Sequence, residues 1–268
     1  MLSGLIVKTF RKPWKAMSPA ARARVIRLFV AGMSEPERFQ IGLPTVSGLL
    51  DNMRQNGFSP VAVLDVGANV GEWSRMVSSV FPSTRILMFD GNPENEPALR
   101  DTVREIGSRS ECFIGLLGPE KNDAVTFYKP DAGNTGSSIL PELTSFEKEV
   151  ITLPMDTLDS LTESASLQGP LLLKLDVQGF ELEVLKGAKR TLRLSEAVIM
   201  EASLLPYNAG APLFADVVAF MNEQGFVAFD FCGQSRRESD RALFQTDVAF
   251  VRRESDLRAH RKFFLSEP

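Results

Sequence analysis

The segment VAVLDVGANVG, residues 61–71, decides the fold. It starts as a short apolar run after Pro60, ends in a glycine-rich turn, and is followed by apolar residues at helical spacing as far as Pro82. An apolar strand, a turn and an amphipathic helix form the unit of parallel sheets, because a crossover helix must return the chain to the same edge. The segment therefore predicts the first β-α unit of an α/β domain.

The same alternation continues along the chain. Apolar runs predict further strands at residues 85–89, 112–114, 171–175, 197–200, 226–231 and 247–251. Between them, helices are predicted at residues 93–106, 181–192 and 212–224. We expect a Rossmann-like, seven-stranded and mostly parallel sheet with helices on both faces.

Domain organisation follows from where this alternation begins and ends. Residues 58–253 are predicted to form the main domain, and residues 115–153 interrupt it as an insertion above the carboxyl edge of the sheet. Residues 1–57 are expected to be an N-terminal helical extension with helices at 18–31 and 46–55. Residues 254–268 are expected to be a charged, solvated tail.

The amino-acid composition limits the kinds of partner that we expect the protein to bind. The chain has 268 residues, 44% of them hydrophobic and 24% charged, which is typical of a soluble globular protein. Its formal net charge of -4 argues against nucleic acid, whose phosphates require basic residues. The sequence contains no run of about 18 consecutive apolar residues, so a membrane-spanning helix is not expected. A cytoplasmic location is expected, because two reduced thiols are typical of a cytosolic protein. The first 17 residues mix apolar and basic side chains, which suits packing on the domain, a homodimer contact or a membrane surface.

Cysteine and histidine are scarce. Cys112 and Cys232 lack the spacing of a metal or redox site, and two reduced thiols are the expected state. His260 is the single histidine, so histidine-rich zinc sites and histidine-centred triads are excluded and no metal site is predicted. A general base must then be a carboxylate, a lysine or a tyrosine.

Acidic residues end four of the predicted strands. Asp65, Asp90, Asp176 and Glu201 end the first, second, fourth and fifth parallel strands. Ligands of open parallel sheets bind in the crevice beyond these ends. Because burying several uncompensated carboxylates is costly, this edge is expected to hold a cationic or hydroxyl-rich ligand.

The turn after the first strand differs from a dinucleotide-binding turn. It has Asn69 where GxGxxG has its second glycine, and Glu72 follows it directly, where a negative charge repels a phosphate. Asp90 is placed to accept from ribose hydroxyls. A ribose without phosphates and with a positive charge describes S-adenosylmethionine, which we expect as the cofactor.

Four blocks of the sequence resemble the FkbM-type methyltransferases: VLDVGANVGEWS, MFDGNPEN, LLLKLDVQGFELEVLKGA and VIMEAS. These are class I S-adenosylmethionine-dependent O-methyltransferases that act on sugars and natural-product hydroxyls. The resemblance covers roughly residues 61–252. The chain departs from the family at Asp90 and Gly91, where Glu-Pro is usual.

The resemblance implies roles for particular residues. Asp90 matches the ribose-binding acid, Asp176 lies near the methionine end of the cofactor, and residues 134–138, including Ser138, are expected to fold over it. The remaining cofactor-binding candidates belong to the first motif: Asp65, Gly67, Asn69, Gly71 and Glu72.

Asp176 is the predicted general base, with Glu201 and Glu181 as reserves. Lys174 lies on the same side of its strand as Asp176 and can steer the ionisation of that carboxyl. Structural interpretations stay open beside these. Asp65 can cap a helix or bond the turn, the glycines can serve turn geometry, and Ser138 can be an ordinary loop residue. Asp176 can accept from loop amides, and Glu201 can pair with Lys174.

The sequence therefore predicts a methyltransferase acting on a hydroxyl of a sugar, glycolipid or natural product by in-line displacement. A small-molecule or glycan acceptor is the expected partner, with its pocket built from residues 133–140 and 204–213. Two alternatives remain at this point. One is an NAD- or sugar-nucleotide-binding oxidoreductase or epimerase on a Rossmann fold, and the other is a binding module without catalysis.

Overall fold

A computed structural model describes residues 28, 32–33, 45–130 and 135–259 of the chain. Several predictions fall on the remaining residues and lie outside this description. They concern the arm of residues 1–17, nearly all of the helix at 18–31, Asn134 and His260.

The described elements are numbered here in chain order. The strands are β1 (Ala62–Val66), β2 (Arg85–Asp90), β3 (Ser110–Ile114), β4 (Leu116–Leu117), β5 (Asn122–Lys129), β6 (Glu149–Asp156), β7 (Leu171–Leu175), β8 (Ser195–Ser203), β9 (Phe226–Arg236) and β10 (Leu243–Arg252). The α-helices are α1 (Val46–Gln55), α2 (Glu72–Val80), α3 (Glu96–Ile106), α4 (Leu158–Leu161), α5 (Glu181–Lys186), α6 (Lys189–Leu194) and α7 (Phe214–Glu223). Short 3₁₀ turns cover Pro93–Asn95 and Asp256–Arg258.

The main sheet has seven strands in the order β3-β2-β1-β7-β8-β10-β9. Its first five strands are parallel, and β10 runs antiparallel to both β8 and β9. The predicted seven-stranded, mostly parallel sheet is therefore confirmed. The order reverses between β1 and β7, which places the ligand crevice beyond the carboxyl ends of these two strands.

Both faces of this sheet are buried under helices, as near-continuous apolar strands require. Val63 and Leu172 pack with Leu49 and Met53 of α1 on one face. Leu64 and other side chains of the opposite face pack with the helices that follow β7 and β8. Helix α1, assigned above to the N-terminal extension, is thus part of the core of the main domain. The boundary at residue 58 remains a prediction.

The single helix predicted at 181–192 is wrong. The chain forms α5 and α6 with a break at Gly187 and Ala188. A Cβ atom at Gly187 would collide with the backbone carbonyl of Gly118, so only glycine fits at the position where the two helices are separated. The apolar spacing continued through the break and concealed it.

The carboxyl-terminal part is more ordered than predicted. Strands β9 and β10 form a hairpin that extends past the predicted 226–231 and 247–251 at both sides of its turn. In the segment expected to be a solvated tail, Leu257 packs against the core and Ser255 is buried. The packing of the main domain therefore extends past residue 254, the predicted start of the tail.

The insertion forms a small sheet of its own, in the order β4-β6-β5. Leu116, Phe127 and Met155 make its apolar core. Lys129, 7% exposed, ties this sheet to the segment after β2, because its ammonium lies 2.6 Å from Glu94 and 2.9 Å from Glu149.

Both cysteines are unpaired thiols, as expected. In the described parts of the chain, every helix is too short or too polar to cross a lipid bilayer.

Candidate active site

A cavity of about 290 Å³ lies beyond the carboxyl ends of β2, β1, β7 and β8, with the small sheet as its opposite wall. This volume is near the lower end of small-molecule pockets, about 300–1,000 Å³. Of the predicted site residues, its lining includes Gly67, Asn69, Asp90, Ser138, Asp176 and Glu201. Asp65, Gly71, Glu72 and Lys174 do not line it.

The turn after β1 is shaped by residues with positive φ. At Gly67 φ is +77°, and a Cβ atom there would collide with the backbone carbonyl of Asp176. Asn69 has φ +51°, and its backbone N–H donates to Asp90 Oδ2 at 2.7 Å. Gly67 is therefore required by the close approach of two strand ends, whereas asparagine at position 69 tolerates the positive φ that places its backbone N–H against Asp90.

Gly71 and Glu72 lie at the start of helix α2 and do not line the cavity. Gly71 has φ +82°, and a Cβ atom there would be 2.5 Å from the hydroxyl of Thr102 on α3. Turn geometry, the structural interpretation given above for the glycines, therefore accounts for Gly71, and the contact with Thr102 adds a packing reason. Glu72 is exposed in the first turn of α2, where its charge favours the helix terminus and disfavours a bound phosphate.

Asp90 organises the segment that follows β2. Its Oδ1 accepts from the backbone N–H of Asn92 at 2.8 Å and from the amide of Asn95 at 2.9 Å, while Oδ2 accepts from Asn69. Burial raises the pKa of this carboxyl, although these hydrogen bonds oppose the shift. Since a carboxylate offers about four acceptor positions, three are taken and one remains for a ligand hydroxyl.

An apolar slot lies beside Asp90. Phe89, Leu116 and Phe127 line it, and Phe89 stacks on Phe113 with ring centroids 5.0 Å apart. A Cβ atom at Gly91 would be 2.7 Å from the side chain of Leu116. The glycine that stands here in place of the usual proline therefore lets strand β4 of the small sheet lie close to the segment after β2. A slot of this kind suits a flat aromatic base next to a ribose.

Lys174 binds two aspartates beneath the cavity. Its ammonium lies 3.4 Å from Asp65 Oδ1 and 3.4 Å from Asp176 Oδ2, and it donates to the carbonyl of Gly67 at 3.0 Å. Burial would lower the pKa of Lys174, but Asp176 and Asp65 outweigh it and raise the pKa. The expected ion pair between Glu201 and Lys174 is not formed.

Asp65 does not join the other acids at the cavity. Its side chain is 0% exposed, Oδ2 accepts from the hydroxyl of Ser74 at 2.7 Å, and Oδ1 faces Lys174 without a hydrogen bond. Three of the four acids expected at this edge therefore line the cavity, whereas Asp65 is the buried counter-ion of Lys174.

Asp176 and Glu201 share one amide at the far end of the cavity. Gln178 Nε2 lies 2.9 Å from Asp176 Oδ1 and 3.0 Å from Glu201 Oε2, and Gln245 donates to the same Glu201 oxygen at 2.7 Å. Burial raises the pKa of Glu201 to about 9, and repulsion from Asp176 and other carboxyls adds to the shift. The Asp176 side chain is 39% exposed, which makes it the accessible carboxylate of the pair.

Glu181 has a structural task. It does not line the cavity, and its Oε1 accepts from the backbone N–H groups of Val177 and Gly179 at 2.9 and 3.2 Å. Burial raises its pKa to about 7. These hydrogen bonds stabilise the loop after β7, and the geometry does not support Glu181 as a reserve base.

The loop of residues 135–139 covers the cavity from the small-sheet side. Ser138 donates from its hydroxyl to the carbonyl of Gln178 at 2.9 Å and accepts from Leu140 N–H at 3.0 Å. Lys148 donates to the carbonyl of Gly136 at 2.6 Å and pairs with Glu142 at 3.0 Å. Ser138 therefore attaches the loop to the segment after β7, and its hydroxyl is already engaged.

Sequence reasoning missed several residues of this site. Asn92 and Asn95 fix Asp90, and the pattern Asn-Pro after an acid at a strand end is a signal for such a turn. Gln178 and Gln245, which hold Glu201, left no comparable signal, because their contacts depend on how distant strands are aligned.

The sequence of the chain is similar to those of known methyltransferases. The family model described as the methyltransferase FkbM domain matches residues 65–228. A curated relative, hexuronic acid methyltransferase AglP of Haloferax volcanii, is 29% identical over 138 residues, or 51% of this chain and 54% of that protein. The chain thus spans about half the length of the curated relative it matches.

Two solved structures illustrate the structural similarity. Methyltransferase FkbM from Methylobacillus flagellatus KT has a TM-score of 0.47 and 18% identity, covering 81% of this chain and 50% of that one. The precorrin-6y C5,15-methyltransferase from Geobacter metallireducens GS-15 has a TM-score of 0.45 and 13% identity, covering 77% and 87%.

Proposed function

The chain belongs to the FkbM methyltransferase family, and from this premise we propose that it methylates a hydroxyl of a sugar, glycolipid or natural product with S-adenosylmethionine. The observation that supports the proposal best is one continuous cavity. It joins Asp90 and the apolar slot at one end to Asp176 and Glu201 at the other. The name of the relative from Haloferax volcanii, which refers to a hexuronic acid, supports a sugar acceptor.

The lining fits a nucleoside without phosphates. The free acceptor position of Asp90 suits a ribose hydroxyl, and Leu116 and Phe127 suit the flanks of an adenine ring. Among the described residues, no lysine or arginine lines the cavity, and Glu72 occupies the turn where a pyrophosphate would bind. These features argue against the NAD- or sugar-nucleotide-binding alternative.

When bound, S-adenosylmethionine supplies a methyl group that forms a bond to the acceptor oxygen as the carbon–sulfur bond breaks and its electron pair stays on sulfur. Asp176 is proposed to take the proton of the acceptor hydroxyl, because it is the accessible carboxylate at that end of the cavity. Positioning of the reacting atoms contributes about 7–11 kcal/mol in such reactions, and a general base about 3–5 kcal/mol. Orientation by the cavity is therefore expected to matter more than the base.

Lys174 is proposed as a positioning residue. Its ammonium connects the carbonyl of Gly67 with Asp176 Oδ2, so the turn beside the cofactor and the proposed base move as one unit. The acceptor is proposed to enter between residues 135–140 and 204–213, where the side-chain amide of Asn208 donates to the carbonyl of Leu140 at 3.4 Å and connects the two segments.

Calorimetry with S-adenosylhomocysteine and NAD tests the cofactor. We expect S-adenosylhomocysteine to bind and NAD not to bind at the same concentrations. Binding of NAD alone would overturn the proposal.

The base is tested with Asp176→Asn. We expect kcat to fall by about 10²–10⁴-fold while the affinity for S-adenosylhomocysteine changes little. Asp123→Asn, on the exposed strand β5, is the matched control and should leave both quantities unchanged. An unchanged kcat in Asp176→Asn would exclude this residue as the base.

A further inference from the structure

The carboxyl group of Glu201 is held in a fixed orientation at the far end of the cavity. Gln178 and Gln245 both donate to the same oxygen of Glu201, Oε2, at 3.0 and 2.7 Å. Since Glu201 lines the cavity, its other oxygen, Oε1, is the one left for a bound molecule. The two amides therefore decide which oxygen of Glu201 a ligand meets.

The order of the sheet places Glu201 away from the end of the cavity that suits a ribose. Asp90 ends β2, and Glu201 lies in β8, three strands away in the order β2-β1-β7-β8. Neighbouring strands are about 4.8 Å apart, so these two strands are separated by about 14 Å. The sulfur of S-adenosylmethionine is joined to its ribose by a single methylene group. A nucleoside held at Asp90 therefore leaves the β8 end of the cavity to the acceptor.

Glu201 and Asp176 are too close to carry two negative charges at low cost. Gln178 Nε2 lies 2.9 Å from Asp176 Oδ1 and 3.0 Å from Glu201 Oε2, so these two oxygens are no more than about 6 Å apart. When two carboxyl groups share a site in this way, one of them keeps its proton. Lys174 lies 3.4 Å from Asp176 Oδ2 and matches the charge of Asp176, which leaves the proton on Glu201.

The other surroundings of Glu201 act in the same direction. Burial raises the pKa of Glu201 to about 9, and repulsion from neighbouring carboxyl groups adds to the shift. Below this pH the proton lies on Oε1, because Oε2 already accepts from two amides. The titratable groups that face Glu201 come from several elements and are Lys174, Asp176, Glu181, Tyr207 and Asp247.

We propose that Glu201 donates a hydrogen bond from Oε1 to an oxygen of the acceptor, on the ring carbon next to the one whose hydroxyl is methylated. The inference rests on the proposed methyl transfer and adds a residue that selects the acceptor. Asp176 takes the proton of one hydroxyl, while Glu201 donates to the neighbouring oxygen. Since the two carboxyl groups share one amide, acceptors with oxygens on adjacent carbons fit both of them. Vicinal diols, which sugars contain, are therefore preferred over isolated alcohols.

Infrared difference spectroscopy tests the protonation of Glu201 without an acceptor. Spectra of the full chain are recorded at neutral pH and well above pH 9 for the wild type, Glu201→Gln and a control, Glu196→Gln. Glu196 lies on the same strand, outside the cavity lining. We expect the wild type and the control to lose the carbonyl stretch of a protonated carboxyl group at high pH, and Glu201→Gln to lack this change. An equal change in all three proteins would overturn the inference.

Methyl transfer tests the hydrogen bond to the acceptor. The full chain receives S-adenosylmethionine with a tritiated methyl group and the methyl glycosides of glucose, galactose and mannose. We expect Glu201→Gln, which keeps an N–H donor, to retain kcat/KM within a few-fold, and Glu201→Leu to lose about tenfold or more. In the wild type kcat/KM should fall above about pH 9 as Oε1 loses its proton, and this fall should be absent from Glu201→Gln.

An analogue of the labelled sugar links Glu201 to one oxygen of the acceptor. Removing the hydroxyl next to the labelled position should cost the wild type about tenfold in kcat/KM and Glu201→Leu almost nothing, because the donor is already gone. Equal losses in both proteins, or weaker binding of S-adenosylhomocysteine to Glu201→Gln, would overturn the inference. A fall of about 10²-fold or more in kcat of Glu201→Gln would also overturn it, since Glu201 would then be a base.

The outcome for methyl transfer itself is separate. Absence of label from every sugar, with S-adenosylhomocysteine still bound in calorimetry, would contradict the proposed transfer to a sugar. The infrared spectra would still decide whether Glu201 holds the proton that the inference requires.

Discussion

Replacing Lys174 with methionine should destabilise the fold strongly. The substitution keeps much of the apolar stem and removes the ammonium that lies 3.4 Å from Asp65 Oδ1. Asp65 is 0% exposed and would keep only the hydrogen bond from Ser74. Removing one partner of a buried pair costs about 3–5 kcal/mol, because the other charge is left in a medium that solvates it poorly.

Urea unfolding and calorimetry measure this cost. For a domain of this size, 1 kcal/mol corresponds to about 2–4 °C in Tm, so Lys174→Met should lower Tm by roughly 10 °C. Lys186→Met is the matched control, since its pairing with Glu183 is at the surface with the lysine side chain 50% exposed. That variant should cost less than about 1 kcal/mol.

The double variant Asp65→Asn with Lys174→Met separates charge from packing. Removing the stranded carboxylate should recover at least half of the lost free energy of unfolding. A cost below 1 kcal/mol for Lys174→Met, or a double variant as unstable as the single one, would refute the assignment of Asp65 as a buried counter-ion.

Three further variants test the site and its electrostatics. Gly67→Ala should abolish S-adenosylhomocysteine binding in calorimetry, because its Cβ would collide with the carbonyl of Asp176, whereas Gly57→Ala, with φ +91° and open space, should bind normally. Binding by Gly67→Ala would contradict the close approach. Asp90→Ala should weaken the binding of S-adenosylhomocysteine about tenfold or more, since it removes the proposed acceptor of a ribose hydroxyl and the acceptor of the Asn69 N–H, and unchanged affinity would exclude that role. Burial raises the folded-state pKa of Glu201 from 4.5 to about 9, so its contribution to stability is complete below pH 4.5 and is lost as pH rises to about 9. Urea unfolding should therefore show a decline over this range that Glu201→Gln reduces, and equal declines would contradict the shift.

The sequence predicted the sheet well because each strand is buried on both faces and so appears as an uninterrupted apolar run between turns. It predicted the cavity because the carboxyl ends of parallel strands meet at one edge. The roles of individual acids were harder to predict. Asp65 pairs in register with Lys174 of β7, and Glu201 with Asp247 of β10, and neither alignment is encoded in the spacing of one strand.

The break between α5 and α6 shows the same limit. Gly187 lies at this break, and the backbone of Gly118, nearly seventy residues earlier in the chain, leaves it no room for a side chain. A pattern within one helix cannot report such a distant neighbour. The contacts of Asn92 and Asn95 with Asp90 were predictable in part, because these residues are close to Asp90 in sequence.

The ammonium of Lys129 has a consequence for the modularity of the protein. It forms ion pairs with Glu94, in the segment after β2, and with Glu149, in strand β6 of the small sheet. A chimera that imports residues 115–157 from a relative would therefore need a compatible residue at position 94 as well. The unit to be exchanged is therefore discontinuous in the chain, because it includes position 94 as well as residues 115–157.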